Sequence, residues 1–288
     1  MSTATTAAAP ASAYAPPAPT LEGWYAHHQI FAVDRAALRR LPDEERDAAA
    51  ASLRATLARL AEPDEGGWSA AVQLVGSSAD LMVVQFRPTL DALGTAQRAV
   101  LAEPLADVLR HAYDFLSVTE AGMYSTAVKA AKEAVARGGV PGDAAYQARL
   151  AELLEAERES AHVQRRLFPP APNDAMPYVS FYPMSKKREA DQNWYALSLE
   201  ERSRLMWEHG KTGRRYAGRV FQVVTGAVGL DAWEWGVTLF AADPLEFKRI
   251  VTEMRFDEVS AKYATFGDFY VGRVVSPDAW VTSLLGGR

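Results

Sequence analysis

The chain runs through one order of elements twice, and that repeat narrows its possible folds more than any single motif. The first pass opens with a predicted strand, WYAHHQIFAV over 24–33. A helix follows over 43–60, with Pro42 at its start and Asp43-Glu44-Glu45 in its first turn, where carboxylates suit the helix dipole. AAVQLVG (70–76) and LMVVQFRP (81–88) alternate as strands around a GSSAD turn. A helix over 89–110, interrupted near Pro104, and a strand over 113–119 close the pass. In the second pass PYVSFYPM (177–184) is the opening strand, and SLEERSRLMWEHGKTGRRYA (198–217) is a helix with a capping box, Ser198 and Glu201. RVFQVVTGAVG (219–229) and WEWGVTLFA (233–241) form a hairpin, followed by a helix over 244–265 and the strand FGDFYVGRVV over 266–275. Strand–helix–strand–strand–helix–strand is the ferredoxin-like order. The expected fold is therefore α+β: two ferredoxin-like repeats forming a dimeric α/β-barrel within one chain, helices outside.

The predicted domains follow from the same pattern. Residues 1–20 are an Ala/Pro-rich tail expected to be disordered, and 21–127 form the N-terminal half. Residues 128–176 form an exposed helical connector broken at 138–142, and 177–288 form the C-terminal half. The tail lacks the basic start and unbroken apolar run of a signal peptide, and no apolar run is long enough to span a bilayer. A cytoplasmic protein with no membrane span is expected. With Lys+Arg at 31 and Asp+Glu at 36, the net charge of −5 does not suit general nucleic-acid binding, which rests on a positive field. The absence of cysteine removes disulfides, thiolate metal sites and cysteine nucleophiles together.

Chemistry concentrates in the second pass, where His209, YPMSKKR and MRFDEVSAKY have no counterpart in the first. His209 sits in Met206-Trp207-Glu208-His209-Gly210 on an amphipathic helix. A lone imidazole there suits a haem iron better than a multi-histidine zinc site; the plain alternative is a histidine facing the helix C-terminal dipole. His27 and His28 are adjacent in a strand and face opposite ways, His111 is expected at a helix end, and His162 lies on a charged helical face. Tyr182 ends a strand and Lys186 follows four residues later. Together they could aim a phenol and an ammonium into one cavity, or form an exposed turn with solvated lysines. Arg255 and Ser260 could bind carboxylates, or Arg255 could pair with a neighbouring acid on a helix surface. Phosphate-binding glycine loops, the Gly-x-Ser-x-Gly elbow and His-Glu-x-x-His are absent.

At these residues the sequence resembles the coproheme decarboxylases of the chlorite dismutase superfamily. The stretches that carry the resemblance are YVSFYPMSKKR (178–188), NWYALSLEERSRLMWEHGKTGRRYAG (193–218), the run from Val220 to Val274, and more weakly YDFLSVTE (113–120). The resemblance implies an enzyme for which iron coproporphyrin III (coproheme) is both substrate and redox centre. Hydrogen peroxide converts two of its propionates to vinyls, giving haem b through a three-propionate intermediate. It also implies a homopentamer and a transient contact with an iron-inserting ferrochelatase. By the same resemblance His209 falls on the iron ligand, and Tyr182 on the tyrosine whose radical attacks a propionate. Lys186 falls on the lysine that assists the second decarboxylation, and Gln222 on the residue above the iron. Arg166, Arg255 and Ser260 fall on propionate contacts, with Met184 and Trp194 near the pocket. The loop from Arg166 to Tyr182 is longer than the family pattern, which leaves Arg165 as an alternative to Arg166. The longer connector leaves Tyr124 as a further propionate contact to be placed.

Two other functions share part of this pattern. Chlorite dismutation goes with a distal arginine to hold an anionic oxychlorine intermediate, whereas position 222 is the neutral amide Gln222. A non-catalytic haem carrier would need neither Tyr182 nor Lys186.

Overall fold

A computed structural model describes residues 17–286. The first pass comprises β1 (Thr20–Val33), α1 (Arg35–Arg40), α2 (Asp43–Ala61), β2 (Trp68–Leu74), β3 (Leu81–Arg87), α3 (Leu90–Leu101) and β4 (Leu109–Gly122). Three helices follow, α4 (Tyr124–Ala136), α5 (Ala144–Arg158) and α6 (Ala161–Leu167). The second pass comprises β5 (Tyr178–Lys186), α7 (Leu199–Arg214), β6 (Val220–Gly226), β7 (Trp235–Ala241), α8 (Leu245–Met254), α9 (Glu258–Tyr263), β8 (Ala264–Phe266) and β9 (Tyr270–Val275). α10 (Pro277–Leu284) ends the described chain.

The fold is α+β, with one antiparallel sheet and helices packed on it. The strand order is β7-β6-β4-β1-β3-β2-β9-β5-β8, and β5 also pairs with β7, so the pairings return on themselves. Neighbours in the first pass run β4–β1–β3–β2 and in the second β9–β5–β7–β6, the same order counted from each start. The passes meet at two seams, β2 with β9 and β4 with β6. Side chains alternate between faces. One face, carrying Ala26, Ile30, Phe86, Phe115, Phe181 and Phe240, gathers residues of both passes into a single core. On the other face α2, α3 and α10 cover Phe31 and Val83 in the first pass. In the second pass α8 lays Phe247, Ile250 and Met254 on Tyr182, Val237 and Leu239.

Several boundaries differ from the sequence expectation, each for a local reason. The helix expected over 89–110 stops at Leu101; Pro104 opens a short 3-10 turn, and Leu109 onward pairs with β1. His111 is thus in a strand and not at a helix end. The helix expected over 244–265 breaks after Met254, because the Asp257 carboxylate accepts from the Ser260 N–H and starts a second helix. Residues 264–266 leave it to pair with β5. α10 was not expected; Ser276 caps it and Pro277 takes its first position. The expected tail ends early, since the Pro19 carbonyl accepts from Met123 N–H and Thr20 opens β1. Residues 1–16 of that tail lie outside the described residues. The connector is not exposed throughout, because Ala130, Ala134, Val163 and Leu167 are buried. Among the described residues no helix is long and apolar enough to cross a membrane.

Candidate functional site

α7 supplies the centre of the site. Ser198 caps it by accepting from the Glu201 N–H, as the capping-box spacing requires. Its inward stripe is Arg202, Leu205, His209 and Thr212, at helical spacing. His209 Nδ1 lies 2.7 Å from Asp257 Oδ2, and Asp257 Oδ1 accepts from Ser260 N–H at 2.9 Å. Burial pushes the Asp257 carboxyl up, but the hydrogen bond and charge of His209 and the Ser260 donors outweigh it and hold the acid below its ordinary value. An ionised acid at Nδ1 takes that N–H and leaves the Nε2 lone pair for a ligand.

β5 supplies the facing wall. Its alternation puts Tyr178, Tyr182, Met184 and Lys186 on one side of the sheet. Tyr182 is 5% exposed, stacks on Phe269 at 4.4 Å and packs in the cluster that includes Met184, Val220 and Leu239. Burial raises its phenol above the ordinary value, against the nearby charge of Arg255. Lys186 Nζ sits 4.5 Å over the Trp194 ring. Burial pulls this lysine down to about 8, with Asp257 and Glu234 opposing the shift. Its backbone N–H donates to Glu234 Oε2 at 2.7 Å, and the other oxygen of Glu234 binds Arg188. That clamp fixes the strand end from which Lys186 projects.

Gln222 on β6 shares its strand face with Val220 and is registered with Leu239, both in the Tyr182 cluster. The Arg255 guanidinium lies 3.8 Å over Phe266, whose ring is 6.0 Å from Tyr182. Ser260 is buried and its N–H is engaged by Asp257. Arg166 on α6 has an exposed side chain, and partial desolvation and then the like charge of Arg214 on α7 push it down. Arg165 instead lies over Phe221 at 4.8 Å. Tyr124 is partly buried, 6.4 Å from Trp194, which in turn meets Tyr263 at 5.9 Å. His209, Lys186, Tyr182, Arg255 and Ser260 thus converge on the second-pass sheet and its helices. Asp257 and Glu234 were missed from sequence. For Asp257 a helix-start signal was present in Asp-x-x-Ser, but it lay inside an uninterrupted helical expectation.

The remaining histidines stand apart from this group. His28 is fully buried, stacks on Phe181 at 3.9 Å and meets Thr238 Oγ1 at 2.9 Å; burial drives it down to about 3. His27 and His111 approach Asp114 at 3.5 and 2.9 Å. His162 Nδ1 lies 3.1 Å from Ser160 Oγ. Among the described residues no group of three or more His, Asp or Glu is placed to hold a metal ion.

Known proteins align with this chain nearly end to end. The chlorite dismutase family profile matches residues 46–275. A coproheme decarboxylase from Staphylococcus carnosus (strain TM300) is 39% identical over 267 residues, covering 92% of this chain and 97% of that protein. The coproheme decarboxylase of Staphylococcus saprophyticus subsp. saprophyticus is 40% identical over 266 residues, covering 91% and 96%. A solved haem-binding protein from Thermus thermophilus superposes with a TM-score of 0.78 at 39% identity, over 94% of this chain and 99% of that one. A mutant chlorite dismutase from Candidatus Nitrospira defluvii has a TM-score of 0.67 at 18% identity, over 92% and 96%, a likeness of fold alone. With the family profile spanning most of the chain and relatives near 40% identity matched along almost their whole length, the chain belongs to the chlorite dismutase family.

Proposed function

We propose that this chain is a coproheme decarboxylase, converting two propionates of iron coproporphyrin III to vinyls with hydrogen peroxide and releasing haem b. The observation that carries this is the unbalanced charge around a poised imidazole. Lys186, Arg255 and Arg166 make no salt bridge among the described residues, while His209 keeps Nε2 free because Asp257 holds Nδ1. A porphyrin with acid arms supplies both an iron for the imidazole and the missing negative charge. The two staphylococcal relatives support the same substrate.

Bound coproheme and peroxide together supply the oxidising power; the chain supplies position, charge and proton control. His209 binds iron through Nε2, and Asp257 holds the ring in the required tautomer. Arg255, Arg166 and Lys186 bind propionates and fix which arm lies beside Tyr182, with Met184 on the strand face of Tyr182 and Ser260 beside Asp257. Gln222 orients peroxide through a neutral amide on the sheet side. Tyr182 gives up an electron and its phenolic proton, then recovers a hydrogen atom from the β-carbon of the neighbouring propionate. Lys186 neutralises the second arm as it takes that place. Over each turn one propionate loses CO2, a proton and two electrons, and peroxide takes up the electrons, that proton and a second one from solvent as it becomes two waters. Loading the purified protein with coproheme and titrating peroxide should give haem b, seen by mass spectrometry as the loss of two carboxyl groups. Coproheme left intact by excess peroxide would sink the proposal.

The finer architecture belongs to the same proposal. We read 21–127 and 177–288 as ferredoxin-like halves of a dimeric α/β-barrel, supported by the recurrence of β4–β1–β3–β2 as β9–β5–β7–β6. A homopentamer in the cytoplasm, receiving coproheme from ferrochelatase, rests on the family resemblance.

A further inference from the structure

β5 loses its β7 partner at the pair Met184–Trp235, two residues short of Lys186, the side chain placed above on the second propionate. From there its strand pairing is with β8, through Ser185 with Thr265 and Lys186 with Ala264. Alternate residues of an antiparallel strand point their N–H and C=O to opposite neighbours, so the Lys186 N–H faces the side that β7 has left. A strand N–H needs an acceptor, and the Glu234 side chain provides one: its Oε2 accepts from the Lys186 N–H at 2.7 Å. We propose that Glu234 is a positioning residue for the second decarboxylation, holding the Lys186 backbone so that the ammonium meets the second propionate, and that loosening it stops the reaction at the three-propionate intermediate. The proposal rests on the decarboxylation reading above.

Glu234 is tied to this strand end by its backbone as well as its side chain. It is buried in the bend before β7. Its N–H donates to the Met184 carbonyl at 3.1 Å and to Ser185 Oγ at 3.2 Å. Its carbonyl accepts from the Ala227 N–H at 2.7 Å, which closes the β6–β7 hairpin. These bonds place the Glu234 backbone whatever side chain it carries. The carboxylate adds two more, to the Lys186 N–H and to the Arg188 guanidinium. It therefore continues the grip on β5 past the last strand pair, where no backbone carbonyl of β7 remains to do so.

The Lys186 side chain depends on that grip. Its ammonium lies 4.5 Å over the Trp194 ring, and the Trp194 N–H donates to the Lys187 carbonyl at 3.1 Å. A ring face attracts a cation without fixing its direction, and a four-carbon stem has many rotamers. The direction of the ammonium is therefore set from the backbone. Tyr182 stands differently, because it pairs with Val237 well inside the β5–β7 ladder. Four residues along a strand separate the two side chains by about 13 Å on one face. Releasing the Glu234 carboxylate frees the Lys186 end and leaves the Tyr182 end in register, so the two decarboxylations should respond unequally.

Glu234→Ala and Glu234→Gln test this together, since a glutamine keeps an oxygen for the Lys186 N–H and an alanine keeps none. Coproheme-loaded protein is titrated with peroxide at slightly acidic pH, where Lys186 holds its proton. Glu234→Ala should lose the first carboxyl group at close to the wild-type rate and the second about 10–100-fold more slowly, so the three-propionate intermediate accumulates in mass spectra. Glu234→Gln should restore the second step. Glu234→Asp keeps the charge but is one methylene too short for the clamp; it should stall as alanine does, and it decides the matter where Glu234→Ala is too unstable to assay. Independently of turnover, amide exchange over 184–188 in the ligand-free protein should be slow in the wild type and Glu234→Gln and fast in Glu234→Ala and Glu234→Asp. Equal slowing of both steps, haem b at the wild-type pace from Glu234→Asp, or unaltered exchange over 184–188 would overturn the positioning role. A Glu234→Gln variant that stalls would do the same, because the charge and not the clamp would then be acting. Wild-type protein that leaves coproheme intact fails the decarboxylation reading itself, whereas normal haem b from the wild type and Glu234→Ala alike fails the positioning role alone.

Discussion

Tyr182 and Lys186 lie on one strand face, yet their environments push them in different directions. Burial holds the Tyr182 phenol in its protonated form, so it can give up a proton only together with an electron. Tyr182→Phe preserves the ring and its stack on Phe269, and should therefore leave coproheme binding and melting temperature nearly unchanged while abolishing haem b formation. Normal product from that variant would remove the phenol from the chemistry. Lys186, pulled down to about 8, sheds its proton within reach of ordinary buffers. Acid arms favour its ammonium form, so coproheme affinity should fall as pH rises past about 8. Lys186→Met should flatten that fall in a spectroscopic binding titration. The ligand-free chain should respond in the opposite sense: between about 8 and 10.5 the unfolded lysine still holds a proton that the folded one has lost, so stability rises with pH there.

At the scale of elements the decisive detail is the break between α8 and α9. Asp257 does two things at that break, capping α9 through the Ser260 N–H and holding His209 Nδ1. Asparagine caps a helix as well as aspartate does, so Asp257→Asn separates the two. Its amide can donate to Nδ1, which moves the imidazole proton onto the nitrogen that would face iron. Coproheme affinity should fall about 10–100-fold with the melting temperature held, measured by Soret titration. An unchanged affinity would mean that Asp257 serves the helix alone. The same break shows what the sequence made legible. His209, Tyr182 and Lys186 were legible because they sit in the motifs that carry the family resemblance; periodicity alone left a helix-end histidine and an exposed turn as plain alternatives. Asp257 and Glu234 were not, because their partners, His209 and Lys186, are each 48 residues away and no local pattern encodes such a contact. The doubled strand order was readable from strand and helix periodicity, whereas the seams between passes depend on side chains far apart in sequence.

For the whole molecule, the question is whether the two passes stand or fall together. α10 follows the last strand of the second pass but packs on the first: Trp280, Val281 and Leu284 join the cluster of Leu53, Leu57 and Phe31. The Trp280 indole donates to the Val72 carbonyl at 3.1 Å, on the strand that pairs with β9 at the seam. The helix therefore straps one pass to the other beside one seam, while β4 and β6 join at the second. Trp280 is fully buried, so Trp280→Ala should cost about 3–5 kcal/mol, from lost burial and the cavity left behind. Because the sheet is continuous through both seams, the loss should shift one cooperative transition and not release the first pass alone. Calorimetry of the variant should give a single peak at lower temperature, and the coproheme Soret band below that temperature should be unchanged, since no site residue touches α10's cluster. Two resolved transitions would show that the passes unfold as separate units, with the seams too weak to couple them.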